Sequence, residues 1–217
     1  MQLTKFSHAC VRIEDNDRRL VIDPGMFSEV EEALVGIDAV LITHQHGDHL
    51  DVDKLGAAAA ANPDLRVWAP ADTVAALEAV QALAGRVTAV GPGESFVAGG
   101  LQVRTFGGQH ALIHSSIPVI SNVAYLVGDV VYHPGDSYTV PNAAVEVSLV
   151  PLHAPWAKVA ETIDYAVSLR AARSFQIHDV LVSDIGRNGY GAQLSRVKEL
   201  YGVTDFALLD PRQTVEL

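Results

Sequence analysis

The chain has 217 residues, 15 Lys+Arg against 26 Asp+Glu, a net charge of −11, nine histidines and one cysteine. Hydrophobic residues make up 49% and charged residues 19%, a balance that supports one well-filled core and excludes intrinsic disorder; the expectation is a single domain over residues 1–217. Cys10 has no partner for an intrachain disulfide or a cysteine zinc finger, and the acidic balance argues against binding long nucleic acids, whose affinity comes from Lys and Arg on phosphates.

In chain order, Met1–His8 carries no continuous apolar stretch, and no run approaches the roughly 20 apolar residues of a membrane span, which leads to the expectation of a soluble, cytoplasmic protein. Short Val/Ile/Leu-rich runs predict strands over Cys10–Glu14, Arg19–Asp23, Ala39–Thr43, Arg66–Ala69, Arg86–Val90, Gln102–Phe106, Val123–Val127, Val130–His133, Val147–Pro151 and Ser174–Ile177. Helices are predicted over Val52–Ala61, from an N-cap at Asp72 to Gly85, over Pro155–Arg170 and over Gly191–Leu200. Strand-rich halves followed by helices suggest a four-layer α/β arrangement, although a doubly wound sheet fits the same pattern.

Chemistry concentrates after the strand ending at Thr43, in His44-Gln45-His46-Gly47-Asp48-His49. On an extended loop, side chains two apart point the same way. His44 and His46 can therefore share one metal while Asp48 and His49 turn toward a second. Four ligands do not fill two sites, so others must come from further along. His110, Asp136 and His178 each stand just past a predicted strand, where sites in layered α/β folds gather.

Asp23, the His44/His46/Asp48/His49 cluster, His110, Asp136 and His178, in that order, make the chain resemble the metallo-β-lactamase-fold hydrolases. Ser7-His8-Ala9, Ile22-Asp23-Pro24 and Tyr132-His133-Pro134-Gly135-Asp136 are similar to the branch that contains L-ascorbate-6-phosphate lactonase, while Pro151–Trp156 departs from it. The resemblance implies an αββα sandwich with the site at one edge of the two sheets. It implies two divalent ions, Zn²⁺ first with Mn²⁺ or Fe²⁺ as alternatives, the first on His44, His46 and His110 and the second on Asp48, His49 and His178, with Asp136 bridging. A metal-bridging hydroxide would then attack an ester, lactone or related bond of a small molecule, with Asp48 orienting it or taking its proton; the alternative is a phosphodiesterase.

Asp23 is expected to support the ligand loop by accepting a hydrogen bond, or to be a strand-end turn residue before Pro24. His114 is either a general acid or a surface histidine; His8 and His153 are candidates for lining the site and binding substrate, and His133 for a supporting or core role. A metal-binding or sensing module without catalysis is the reading from another class, and the full ligand set argues against it. A homodimer is compatible with the sequence.

Overall fold

The computed structural model describes residues 1–217. Strands β1 (Gln2–Lys5), β2 (Val11–Asp15) and β3 (Arg18–Ile22) form an antiparallel meander, with Leu3 opposite Ile13 and Ile13 opposite Leu20. From β3 the chain changes style. Helix α1 (Val30–Ala33), β4 (Ala39–Leu41), α2 (Val52–Ala61), β5 (Arg66–Ala69), α3 (Ala71–Glu78) and β6 (Val87–Ala89) follow as crossovers that keep β3 to β6 parallel.

The second half repeats this plan. Strands β7 (Ser95–Ala98), β8 (Leu101–Gly107), β9 (Val123–Val127) and β10 (Val131–His133) are antiparallel neighbours. Then β11 (Val147–Pro151), α4 (Val159–Leu169), β12 (Arg173–Ile177), α5 (Asp184–Ser195), α6 (Val197–Tyr201) and β13 (Asp205–Ala207) add parallel strands. The last strand, β14 (Gln213–Glu216), returns to β1, giving two seven-stranded sheets ordered β14-β1-β2-β3-β4-β5-β6 and β13-β12-β11-β10-β9-β8-β7.

Period-two alternation explains the layering, because successive side chains on a strand face opposite sides. Leu20, Ile22, Ala39, Leu41, Val123, Tyr125 and Val127 meet between the sheets. Their neighbours Val21, Val40 and Ile42 pack under α1, α2 and α3, and Ala124 and Leu126 under α4 to α6. Three apolar cores thus separate four layers, αββα, and strands apolar on both faces read as continuous hydrophobic runs. Tyr125, fully buried, spans the sheet interface and donates its hydroxyl to Ile42 O at 2.8 Å.

Several elements differ from the sequence expectation. Helix α3 begins behind Pro70 and ends at Glu78, with Asp72 inside its first turn and not at the N-cap. Helix α4 begins at Val159, since Pro155 and Trp156 form a turn first. Helix α5 begins at Asp184, capped by Ser183, whose side chain accepts from Gly186 N–H. Its glycines 186, 189 and 191 lower helix propensity and hide this start in the sequence. Strands β1, β7, β13 and β14 and helix α1 are short additions to the elements expected from the sequence; β13 and β14 pair with strands remote in the chain. No helix is long and apolar enough to cross a membrane.

Candidate metal centre

The crossovers carry chain ends to one edge of the sandwich. Asp23 follows β3, the His44–His49 loop follows β4, His110 follows β8, Asp136 follows β10 and His178 follows β12. Asp23 and His178 adopt left-handed backbone conformations, φ 51° and 56°, which turn their side chains out of the strand direction. Such strain in non-glycine residues persists where surrounding contacts over-determine it. Gly25 has no room for a side chain: a Cβ there would collide with the Asp48 carbonyl, so the two loops touch through bare backbone.

Asp23 organises the first loop. Its Oδ1 accepts Thr43 N–H at 2.7 Å, and its Oδ2 accepts the Thr43 hydroxyl at 2.6 Å and His49 Nδ1–H at 2.7 Å. Having given its proton to Asp23, the Thr43 hydroxyl is left to accept from His44 Nδ1–H at 3.0 Å. From the second half, His110 Nδ1–H donates to Ala111 O and His178 Nδ1–H donates to His153 O, each at 2.6 Å. A carbonyl only accepts, so these rings carry their proton on Nδ1 and turn an Nε2 lone pair inward. The same tautomer follows for His44 and His49.

The inward atoms converge. His44 Nε2 and His46 Nδ1 are 3.1 Å apart, and His49 Nε2 lies 3.0 Å from Asp136 Oδ1. Asp136 Oδ2 lies 3.3 Å from His110 Nε2 and 3.2 Å from His178 Nε2, and Asp48 Oδ2 lies 3.5 Å from His178 Nε2. One donor atom from each of His44, His46, His110 and Asp136 falls within 4.8 Å of the rest, as does one from each of His8, Asp48, His49 and His178. Of eight buried polar side-chain atoms without a hydrogen-bond partner, five belong here: His8 Nδ1, His49 Nε2, His110 Nε2, Asp136 Oδ1 and His178 Nε2. Buried polar atoms are ordinarily satisfied, so the unpartnered inward Nε2 atoms of His49, His110 and His178, on rings held from behind through Nδ1, fit divalent cations.

Electrostatics point the same way. Burial would raise Asp136, but the adjacent His49 and His178 rings hold it well below the usual carboxylate range. Burial also works against Asp48, which the adjacent His178 and His8 rings nonetheless hold low. Conversely, burial would lower His49 and His178, yet Asp136 above all lifts His49 well above an ordinary imidazole and His178 to about 9. Burial lowers His44 well below its usual range, lowers His46, and brings His8 down to about 4. The carboxylates that hold a proton on His49 and His178 would equally hold a cation in its place.

The other residues singled out from the sequence fall into place differently. His8 is buried beside the cluster, its Nε2 3.1 Å from Asp48 Oδ2. His153 meets the site through its carbonyl, while its ring stacks on Tyr190 with centroids 5.7 Å apart. His114 is exposed, its Nδ1 paired with Ser116 Oγ at 2.7 Å, and none of its hydrogen bonds reaches the cluster. His133 spends both nitrogens elsewhere, donating Nε2–H to Ala9 O at 2.9 Å and accepting Gly135 N–H at 3.1 Å.

Three residues of the site escaped sequence reasoning. Thr43 adjoins the histidine cluster and was readable only as a strand end. Asn122 accepts Asp136 N–H at 2.9 Å and donates to Pro134 O at 2.8 Å, with no local signal. Trp156 donates Nε1–H to Asp136 Oδ2 at 3.1 Å, from the segment that departs from the resembled branch. Beside Trp156 opens a cavity of about 470 Å³ lined by Leu112, Ile113, Tyr138, Pro155, Lys158 and neighbours; a second, reached past His110 and Tyr138, adjoins it. A separate apolar cavity between α1 and α2 touches no cluster residue.

Comparison with known proteins agrees with this geometry. The family model described as "Beta-lactamase superfamily domain" matches residues 2–178. Protein Rv0786c of Mycobacterium tuberculosis is 39% identical over 220 residues, covering 99% of both chains. A UPF0173 metal-dependent hydrolase of Aeropyrum pernix is 32% identical over 154 residues, 63% of this chain and 61% of that one. Among solved structures, Igni18, a metallo hydrolase from Ignicoccus hospitalis, superposes with a TM-score of 0.74 at 20% identity over 99% of this chain and 97% of that one. With its sandwich and these relatives, the chain belongs to the beta-lactamase superfamily.

Proposed function

We propose that the chain is a hydrolase that works with two divalent cations on an uncharged ester or lactone of a small molecule. The observation that carries the reading is the pair of four-donor sets with Asp136 between them, one carboxylate oxygen facing His49 and the other facing His110 and His178. His44, His46 and His110 would hold one cation, and Asp48, His49 and His178 the other. Imidazole and carboxylate donors without thiolate suit Zn²⁺, Mn²⁺ or Fe²⁺. When bound, such a pair activates a water near neutral pH and polarises the oxygen that gains charge.

The chain's own groups supply the rest. Asp48 is half-buried, with its Oδ2 3.1 Å from His8 Nε2 and turned toward His178. It is placed to orient the attacking water and take its proton. Trp156 holds Asp136 from the cleft side while its ring forms part of the cavity wall. Leu112, Ile113 and Pro155 give that wall apolar side chains beside its polar surface, and Lys158, the one Lys or Arg lining either adjoining cavity, is paired with Glu161 at 3.1 Å. This lining favours an uncharged acyl compound over a phosphodiester, because a phosphoryl anion would find no fixed cation outside the metal site.

The test is metal analysis of purified protein together with turnover of neutral aryl esters, lactones and phosphodiesters. Two metal equivalents and ester or lactone turnover are expected, with Asp48→Asn lowering kcat by about 10²-fold or more when assayed at metal concentrations that fill both sites. Faster cleavage of phosphodiesters would overturn the bond class. A full metal complement with no turnover of any substrate would favour a metal-binding or sensing role.

A further inference from the structure

Resting on the dinuclear reading, we infer that His8 is a further protein donor to the cation of Asp48, His49 and His178. His8 sits in the turn between β1 and β2, far in sequence from the other donors. It is completely buried and holds a left-handed backbone, φ 59°. The turn is pinned by Phe6 N–H to Cys10 O at 2.9 Å, and His178 N–H donates to the His8 carbonyl at 3.1 Å. Two strained residues from different sheets are thereby clamped together at the site.

The ring goes where a ligand would go. Its centroid is 4.0 Å from that of His178 and 5.7 Å from that of His49, with Phe27 closing the outer side at 5.4 Å. Its Nε2 approaches the same Asp48 oxygen that faces His178 and His49, not the opposite oxygen, where a group that merely oriented the carboxylate from behind would sit. One of its nitrogens lies within 4.8 Å of a donor atom on each of Asp48, His49 and His178.

With His8 included, the two donor sets match in number: His8, Asp48, His49 and His178 on one side, His44, His46, His110 and Asp136 on the other. His110, from the second set, lines a cavity beside Trp156 and Tyr138.

Two measurements test this. In wild-type protein loaded with cadmium, NMR scalar coupling between the metal nucleus and the ring is expected for His8 as well as for His49 and His178. His8→Gln places an amide near the position of Nε2, able to hydrogen-bond Asp48 but a poor metal ligand. It is expected to weaken one of two bound ions by about tenfold or more while the other keeps wild-type affinity, and to alter the visible absorption of the cobalt-substituted protein. Two ions in the wild type with coupling at His49 and His178 but none at His8 would overturn this inference alone. Wild-type affinity for both ions in His8→Gln would do the same. Fewer than two ions in the wild type would overturn it together with the dinuclear reading.

Discussion

Asp23 shows how one side chain can set the chemistry of others that it does not resemble. Its carboxylate receives three hydrogen bonds, and through Thr43 and His49 it decides which nitrogen of His44 and His49 faces inward. Asp23→Asn replaces one acceptor oxygen by a donor, so either Thr43 or His49 loses its partner. Affinity for the cation beside His49 is expected to fall by about 10–100-fold, measured by competition with a chelating dye, with the circular dichroism of the fold unchanged. A wild-type affinity in that variant would mean that Thr43 alone orders the loop. At this scale the sequence was legible only where the residues are adjacent. His44, His46, Asp48 and His49 announce themselves within six positions. Thr43's double duty, Asn122 and Trp156 depend on partners 14 or more positions away or on hydroxyl directionality, which spacing does not record.

Between elements, one buried charge network holds the site's rim. Asp179, directly after the ligand candidate His178, accepts from Lys5 Nζ of β1 at 3.1 Å, from Gln176 Nε2 at 3.0 Å and from Arg187 Nε of α5 at 3.1 Å. Lys5 is 1% exposed and burial lowers its pKa, so removing its partner strands an ammonium in the interior. Asp179→Ala is expected to cost about 3–5 kcal/mol in urea unfolding. Burial would raise Asp179, but Lys5 and the hydrogen bonds hold it below the usual carboxylate range. Its folded-state pKa is therefore lower than its unfolded one. The stability it contributes is complete above the unfolded value, near 3.9 by the peptide reference, and is lost as pH falls through the folded value. Urea midpoints should fall between about pH 5 and pH 3 by more in wild type than in Asp179→Ala; parallel curves would exclude this pair as a source of acid lability.

For the whole molecule, the donor sets join the two sheets. His44, His46, Asp48 and His49 come from the first, and His110, Asp136 and His178 from the second. A cation held by both is bound by the folded state and not by the unfolded one, so chelation should lower Tm and restored metal should raise it. At free metal about 100 times Kd the gain is about 2.7 kcal/mol. Differential scanning fluorimetry before and after chelation reads it, and a Tm indifferent to metal would show that the inter-sheet core alone sets stability.

The sequence by itself determined the strand-and-helix alternation, the apolar runs that become three cores, and the clustered donors of the His44 loop. These follow from covalent spacing and periodicity, which act over a few residues. It also placed His110, Asp136 and His178 just beyond strands, a position without a direction. Only the tertiary structure decided that β14 closes against β1, that α5 forms despite its glycines, that His8 arrives beside Asp48, and that one carboxylate of Asp136 faces both donor sets. Those contacts join segments separated by long stretches of chain, and their geometry exists only once two sheets have packed and turned strained residues toward a common edge.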